Sequence, residues 1–184
     1  MTPLRVRWLG RVAYDDALAF QSALWAGTDD HLLLLEHPPV YTLGVRADPA
    51  HVLVDPASVG AGVVRANRGG DVTYHGPGQL VGYPILHVPG RRGGGLVDTT
   101  AYVCSVEQTV IDVLADLGLP GTGRVPGFPG VWVDPDGSRP RKICAVRRGR
   151  RSSGWSTART ATGERSLARI SIARSTAAAL PRRI

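Results

Sequence analysis

Lysine is nearly absent from this chain. Of its 22 basic residues, one is lysine, Lys142, and the other 21 are arginine. Arginine keeps its proton in proteins, so any lysine-based proton transfer falls to Lys142. Cysteine is scarce too: Cys104 and Cys144 are too few for a disulfide framework. No apolar run approaches the roughly 18 residues of a transmembrane helix. The first ten residues, MTPLRVRWLG, lack an uninterrupted apolar core, so no signal peptide is expected. Together these absences point to a protein of the reducing cytoplasm, with no membrane partner. The five histidines are scattered without ligand spacing, and neither a metal nor a cofactor is expected.

The 184 residues suit one domain with a real core. A hydrophobic content of 43% and a mean hydropathy of −0.04 fit a soluble globular chain. The net charge of +7 suggests nucleic acid, but its distribution argues against that. Residues 1–146 hold 12 basic and 14 acidic residues, a net of −2. Residues 147–184 hold ten arginines and one acid, Glu164, a net of +9. The excess therefore belongs to the tail. There it is interleaved with a single aromatic, Trp155, which is a weak nucleic-acid signal, so no nucleic-acid partner is expected.

One stretch organises the rest: Arg68-Gly69-Gly70-Asp71-Val72-Thr73-Tyr74-His75-Gly76-Pro77-Gly78-Gln79. Its glycines let a backbone approach a ligand closely or take positive φ. Pro77 stiffens it. Arg68, Thr73, Tyr74 and His75 add donors and rings. Taken alone, the same composition also suits a long hairpin turn with polar decoration.

Around this loop the pattern is mixed. Leu4, Val6 and Trp8 alternate with arginines, as in a half-buried strand. Tyr14, Ala17, Leu18, Leu24 and Trp25 form a helical stripe over 14–26, with Gly27 as a stop. His31–Glu36 is a short apolar run suited to a strand buried on both faces. Extended structure is expected again at 40–44 and 63–65, with loops between. Leu80–Val88 predicts a strand in which Pro84 marks an edge or a bulge. Arg91–Gly95 predicts a basic loop. Asp98 or Thr99 caps a helix to Leu117, with a stripe of Val103, Val106, Val110, Val113 or Leu114, and Leu117. Cys104, beside that stripe, is expected to be a small buried hydrophobe. Residues 121–130 are expected as loop, 131–133 and 141–146 as strands. No internal repeat is present. The order gives an α+β class.

The wording RGGDVTYHGPGQLVGYPIL resembles the signature of the lipoyl(octanoyl) transferases. EHPPVYTLG at 36–44, PGVWV at 129–133 and RKICAV at 141–146 resemble that family in the same order. The resemblance implies a mixed sheet flanked by helices, the fold of the biotin and lipoate protein ligase catalytic domains. It implies transfer of an octanoyl group from octanoyl-acyl carrier protein to a lysine of lipoyl domains, those of 2-oxoacid dehydrogenase complexes and the glycine cleavage H protein. It implies Lys142 as the catalytic lysine, beside a cysteine that carries the acyl group as a thioester. It implies substrate binding by Arg68, Gly69, Gly70, Asp71, Val72, Thr73, Tyr74 and His75, joined by Ala145 and Val146. His37 is expected in the cleft wall, or as a strand-end histidine bonded to nearby backbone.

The resemblance covers residues 1–146, which are expected to form the catalytic domain, incomplete at its C-terminal end. It stops there. The family's histidine-glycine strand and its proline-cysteine-glycine turn have no counterpart in 147–184, which hold no cysteine and no histidine. The tail is expected to be disordered, and its Arg, Ala, Ser, Thr and Gly content is what an out-of-frame reading of a GC-rich gene gives. If strands are missing from the sheet, an unpaired edge is expected. The loss of the expected nucleophile opens alternatives: an inactive relative that still docks acyl carrier protein or lipoyl domains, or a lipoate or biotin ligase needing ATP. Cys144 is two residues from Lys142, on the same face of a regular strand, which makes it a candidate substitute nucleophile; the other reading of Cys144 is packing.

Overall fold

The computed structural model describes residues 3–88, 98–148 and 164–172. Its elements are β1 (Leu4–Arg11), α1 (Tyr14–Trp25), β2 (Asp30–Glu36), β3 (Val40–Leu43), β4 (Gly62–Arg65), β5 (Val72–His75), β6 (Leu80–Val88), α2 (Thr99–Asp116), β7 (Thr122–Val125), β8 (Phe128–Val133), β9 (Arg141–Arg148) and β10 (Glu164–Ile172). Short 3-10 turns at Pro49–His51 and Pro56–Val59 interrupt the loop after β3. Seven strands form one sheet in the order β1-β2-β6-β10-β9-β8-β7, and a small sheet has the order β4-β3-β5. The large sheet is mixed, because β1 runs parallel to β2 while the other neighbours are antiparallel. This is the α+β class expected.

The two helices cover opposite faces of the sheet. Partner residues across an antiparallel ladder share a face. The ladders through β10 align Ala145 with Val81, and Val146 with Gly82. Val81, Tyr83 and Ile85 pack with Ala17 of α1 and with Leu33 and Leu35 of β2. Val131, Cys144 and Val146 pack with Tyr102, Val106, Val110 and Leu114 of α2. Asp98 caps α2 by accepting from the Ala101 amide, and Gly118, at φ 85°, ends it.

Several expectations need correction. The apolar residues of β1 are exposed, Leu4 at 50% and Trp8 at 61%, because β1 is a sheet edge. Part of the glycine stretch is a strand: Val72–His75 pairs with β3. The expected loop at 121–130 contains β7 and a hairpin to β8. Pro84 lies in an interior strand, opposite Leu32 of β2. The β6–β10 register runs on either side of Tyr83 and Pro84 and steps over them, which is how the sheet accommodates a residue without an N–H. On α2, Val113 and Leu117 are exposed, and Tyr102 takes a place on the buried stripe.

The largest departure is in the tail. β9 continues to Arg148, and Glu164–Ile172 forms β10 between β6 and β9. Those two strands would otherwise present unpaired backbone groups to each other, and closing that gap outweighs a weak local pattern. The expected basic loop at Arg91–Gly95 lies outside the described residues, as do 149–163 and 173–184.

Candidate active site

The glycine loop is built on the small sheet. Arg68 is 3% exposed. Its guanidinium donates to the Thr42 carbonyl, to Thr42 Oγ1 at 2.8 Å and to the Gly69 carbonyl at 3.1 Å. The Thr42 hydroxyl donates in turn to the Thr73 carbonyl at 3.3 Å. Arg68 therefore holds the loop's own shape. Gly70 has φ 91°, and any side chain at Gly44 would collide with the Gly70 carbonyl and the Arg68 guanidinium. Asp71 fastens the loop's outer edge: it accepts from His51 Nδ1 and from the Asp48 amide at 3.2 Å. Partial desolvation raises the Asp71 pKa, but bonds from His51 and from the Val72 and Asp48 amides outweigh it, and the net direction is down. Tyr74 is exposed, its ring 5.1 Å from that of Tyr41.

His75 is fully buried and donates from Nδ1 to Gln79 Oε1. Its ring packs on His37 with centroids 5.5 Å apart, and His37 also meets Tyr14 and Tyr83. His37 Nδ1 faces the Val12 carbonyl at 2.8 Å, so that nitrogen donates. Its Nε2, 2.8 Å from the Tyr83 hydroxyl, then accepts in the neutral ring. His37 thus bonds to backbone, fully buried and packed against His75 of the loop. Glu36 closes the loop's far end by accepting the Gly78 amide hydrogen at 3.0 Å. Because Tyr83 points to the α1 side of the sheet, the loop sits over that face.

Lys142 lies on the same face. Val131 pairs with Cys144 but Trp132 pairs with Lys142, so β9 carries an extra residue against β8. This bulge turns both Ile143 and Cys144 into the α2 core and leaves Lys142 on the opposite side. The expectation that Lys142 and Cys144 share a face is therefore overturned; a regular strand would align them, and the bulge breaks that alternation. Lys142 is exposed, and its Nζ lies 4.6 Å from the Trp132 ring centroid. Along the sheet, Cys144 is level with Leu80 through Ile172. Lys142 therefore lies at the end where the glycine loop enters β6, two strand spacings or about 10 Å across.

The two thiols are elsewhere. Cys144 is fully buried, and its pKa is pushed up to about 12 by burial and by Glu107, against the pull of Lys142. Cys104 is on α2 and is exposed, where a buried position was expected. The stripe turns Val103 and Val106 inward and leaves Cys104 at its margin. A cavity of about 640 Å³ opens on this other side, lined by Val103, Cys104, Glu107, Arg124, Phe128 and Val146 among others. Of the sequence-predicted site residues, Lys142 and Ala145 share the loop's face, and Val146, 2% exposed, points to α2. Glu36, Tyr83, Glu107 and Trp132 were not singled out beforehand; Trp132 carried the best signal, as an aromatic in a segment otherwise of glycine, proline and valine. Among the described residues no cluster of His, Cys, Asp or Glu suits a metal, and no helix is long and apolar enough to cross a membrane.

A glycine-rich loop and the chain's single lysine thus share one face of a mixed sheet that lies between two helices. The family described as "Lipoyl protein ligase A/B catalytic domain" matches residues 12–161, and the chain belongs to it. It is 49% identical over 154 residues to an octanoyltransferase of Gloeobacter violaceus, a match covering 80% of this chain and 63% of that one. It is 45% identical over 166 residues to an octanoyltransferase of Myxococcus xanthus, covering 85% and 44%. Among solved structures, a bi-partite lipoate protein ligase of Thermoplasma acidophilum superposes with a TM-score of 0.68 at 18% identity, covering 94% of this chain and 62% of that one. That likeness shows the fold. The chain spans less than two thirds of the length of these relatives.

Proposed function

We propose that this chain handles octanoyl thioesters in lipoate biosynthesis, taking the octanoyl group of octanoyl-acyl carrier protein toward a lysine of a lipoyl domain. The observation that carries this is Lys142, the single lysine, on the face and at the end of the sheet where the glycine loop enters β6. The similarity to octanoyltransferases supports the acyl group. In this reading the residues from Arg68 to His75, with Ala145, hold the thioester, and loop amides stabilise the oxyanion that forms at its carbonyl. Lys142 moves the proton or lowers the pKa of the attacking group. The lipoyl domains concerned are those of 2-oxoacid dehydrogenases and the glycine cleavage H protein.

A second reading is favoured by one observation: neither thiol is on the loop's face. The chain then binds acyl carrier protein or lipoyl domains without turning over through a cysteine thioester. The out-of-frame origin of residues 147–184 belongs with this reading, and sequencing of the gene across that region tests it. A base change that restores a proline-cysteine-glycine turn supports it, and an unbroken frame refutes it.

The experiment mixes the purified chain with octanoyl-acyl carrier protein and a lipoyl domain, without ATP. Octanoyl-lysine on the lipoyl domain, lost in Lys142→Ala, supports transfer. Complex formation without transfer selects the second reading. Failure of both sinks both, and transfer that needs ATP and free octanoate points to a ligase.

A further inference from the structure

We propose that Lys142 is itself an acyl acceptor, taking the octanoyl group of a bound thioester as a stable amide. This rests on the reading that the glycine loop holds acyl thioesters. The argument starts from which nucleophiles the sheet presents on that face. Cys144 is turned into the α2 core by the bulge, and Cys104 lies on α2, on the far side of the sheet. Lys142 is on the near side, exposed, and at the end where the loop enters β6. Its stem crosses Gly130, where an added Cβ would lie 3.3 Å from Lys142 Cε. The Trp132 ring, like Gly130 on β8, holds the head group at rest, and the amine swings across β9 from there to reach the loop.

The chemistry balances without a further reactant. The neutral amine nitrogen of Lys142 attacks the thioester carbonyl with its lone pair, and a C–N bond forms. The C–S bond breaks, and the sulfur leaves with the electron pair. The proton lost by nitrogen ends on the departing thiol. An amide resists the thiol and amine exchange that empties a thioester, so the group stays on Lys142.

The single lysine makes the test clean. The full chain is incubated with octanoyl-pantetheine, and binding of its non-reacting thioether analogue is measured in parallel by calorimetry. The expected result is one added octanoyl group that survives neutral hydroxylamine, maps to Lys142 and is absent from Lys142→Arg. Positioning on the fold should make the reaction at least about tenfold faster than on the urea-unfolded chain. If the analogue binds and Lys142 stays unmodified, or the adduct is hydroxylamine-labile and sits on a cysteine, the inference falls while the thioester-binding reading survives. Equal rates in folded and unfolded chains also overturn it, as unguided lysine acylation. If the analogue does not bind, both fall.

Discussion

The Glu107 carboxylate accepts the amide hydrogen of Gly130 at 2.6 Å, tying the middle of α2 to β8 one residue before Val131. Its other oxygen takes the Arg124 guanidinium at 3.1 Å, and Glu107 is 3% exposed. Through Gly130 this buried contact supports the backbone that Lys142 crosses. Removing Glu107 leaves an unsatisfied amide and an arginine without its carboxylate. Glu107→Ala should lower the unfolding free energy by about 3 kcal/mol in urea titrations. Arg124→Ala should cost less, since Arg124 is partly solvated.

The two cysteines should behave as opposites. At pH 8 the folded chain should react with iodoacetamide at Cys104 and leave Cys144 unmodified until urea is added, as peptide mapping would show. The Cys144 thiol, pushed up to about 12 by burial and by Glu107, also makes stability depend on pH. Below the ordinary thiol range, near 9.0, both states keep the proton and this contribution is constant. Above it the unfolded chain releases the proton first, so stability falls by about 1.4 kcal/mol per pH unit toward pH 12. Cys144→Val should lack this slope in alkaline denaturation curves.

Gly44→Ala should disturb the glycine loop, because its methyl would meet the Gly70 carbonyl and the Arg68 guanidinium. A loss of about 1–3 kcal/mol is expected from the overpacking. Hydrogen exchange should rise at residues 68–73 and not in α2.

The Asp71 carboxyl is held below its ordinary value, mainly by His51 acting against partial desolvation. Its fastening is then present above the ordinary carboxylate range and is lost as the pH falls through the lowered value. Asp71→Asn should show the same loosening of Asp48–His51 at neutral pH that the native chain shows only in acid, read by NMR of the His51 ring.

Ile170→Pro should unfold the large sheet. Position 170 pairs with Val146 on one side and Gly82 on the other, and proline offers neither ladder an N–H. Circular dichroism should show loss of cooperative melting. A native-like melt would argue against a strand there.

Much of this was legible in sequence, and the failures have physical causes. Local patterns placed α1, α2 and most strands, because apolar periodicity and the Asp98 cap are short-range signals. The glycine loop was legible because its residues are contiguous. What escaped depended on partners distant in the chain. The bulge that parts Lys142 from Cys144 exists only in the pairing of β9 with β8. Arg68 was legible as a donor within the loop, but its engagement with Thr42 needed β3 to be placed first. β10 was missed for the same reason, since its place follows from the two edges around it.

That place has a consequence for how the chain reaches its fold. Among the described residues, the strands β1, β2 and β6 on one side and β9, β8 and β7 on the other meet only through β10. During synthesis both halves emerge before their connecting strand does. Each must wait, with one flank of backbone exposed, until Ile172 has left the ribosome. Long-range closure of this kind is slow and open to wrong partners. Refolding of this chain is therefore expected to be slower than its helices alone suggest, and most prone to association just before the last strand enters.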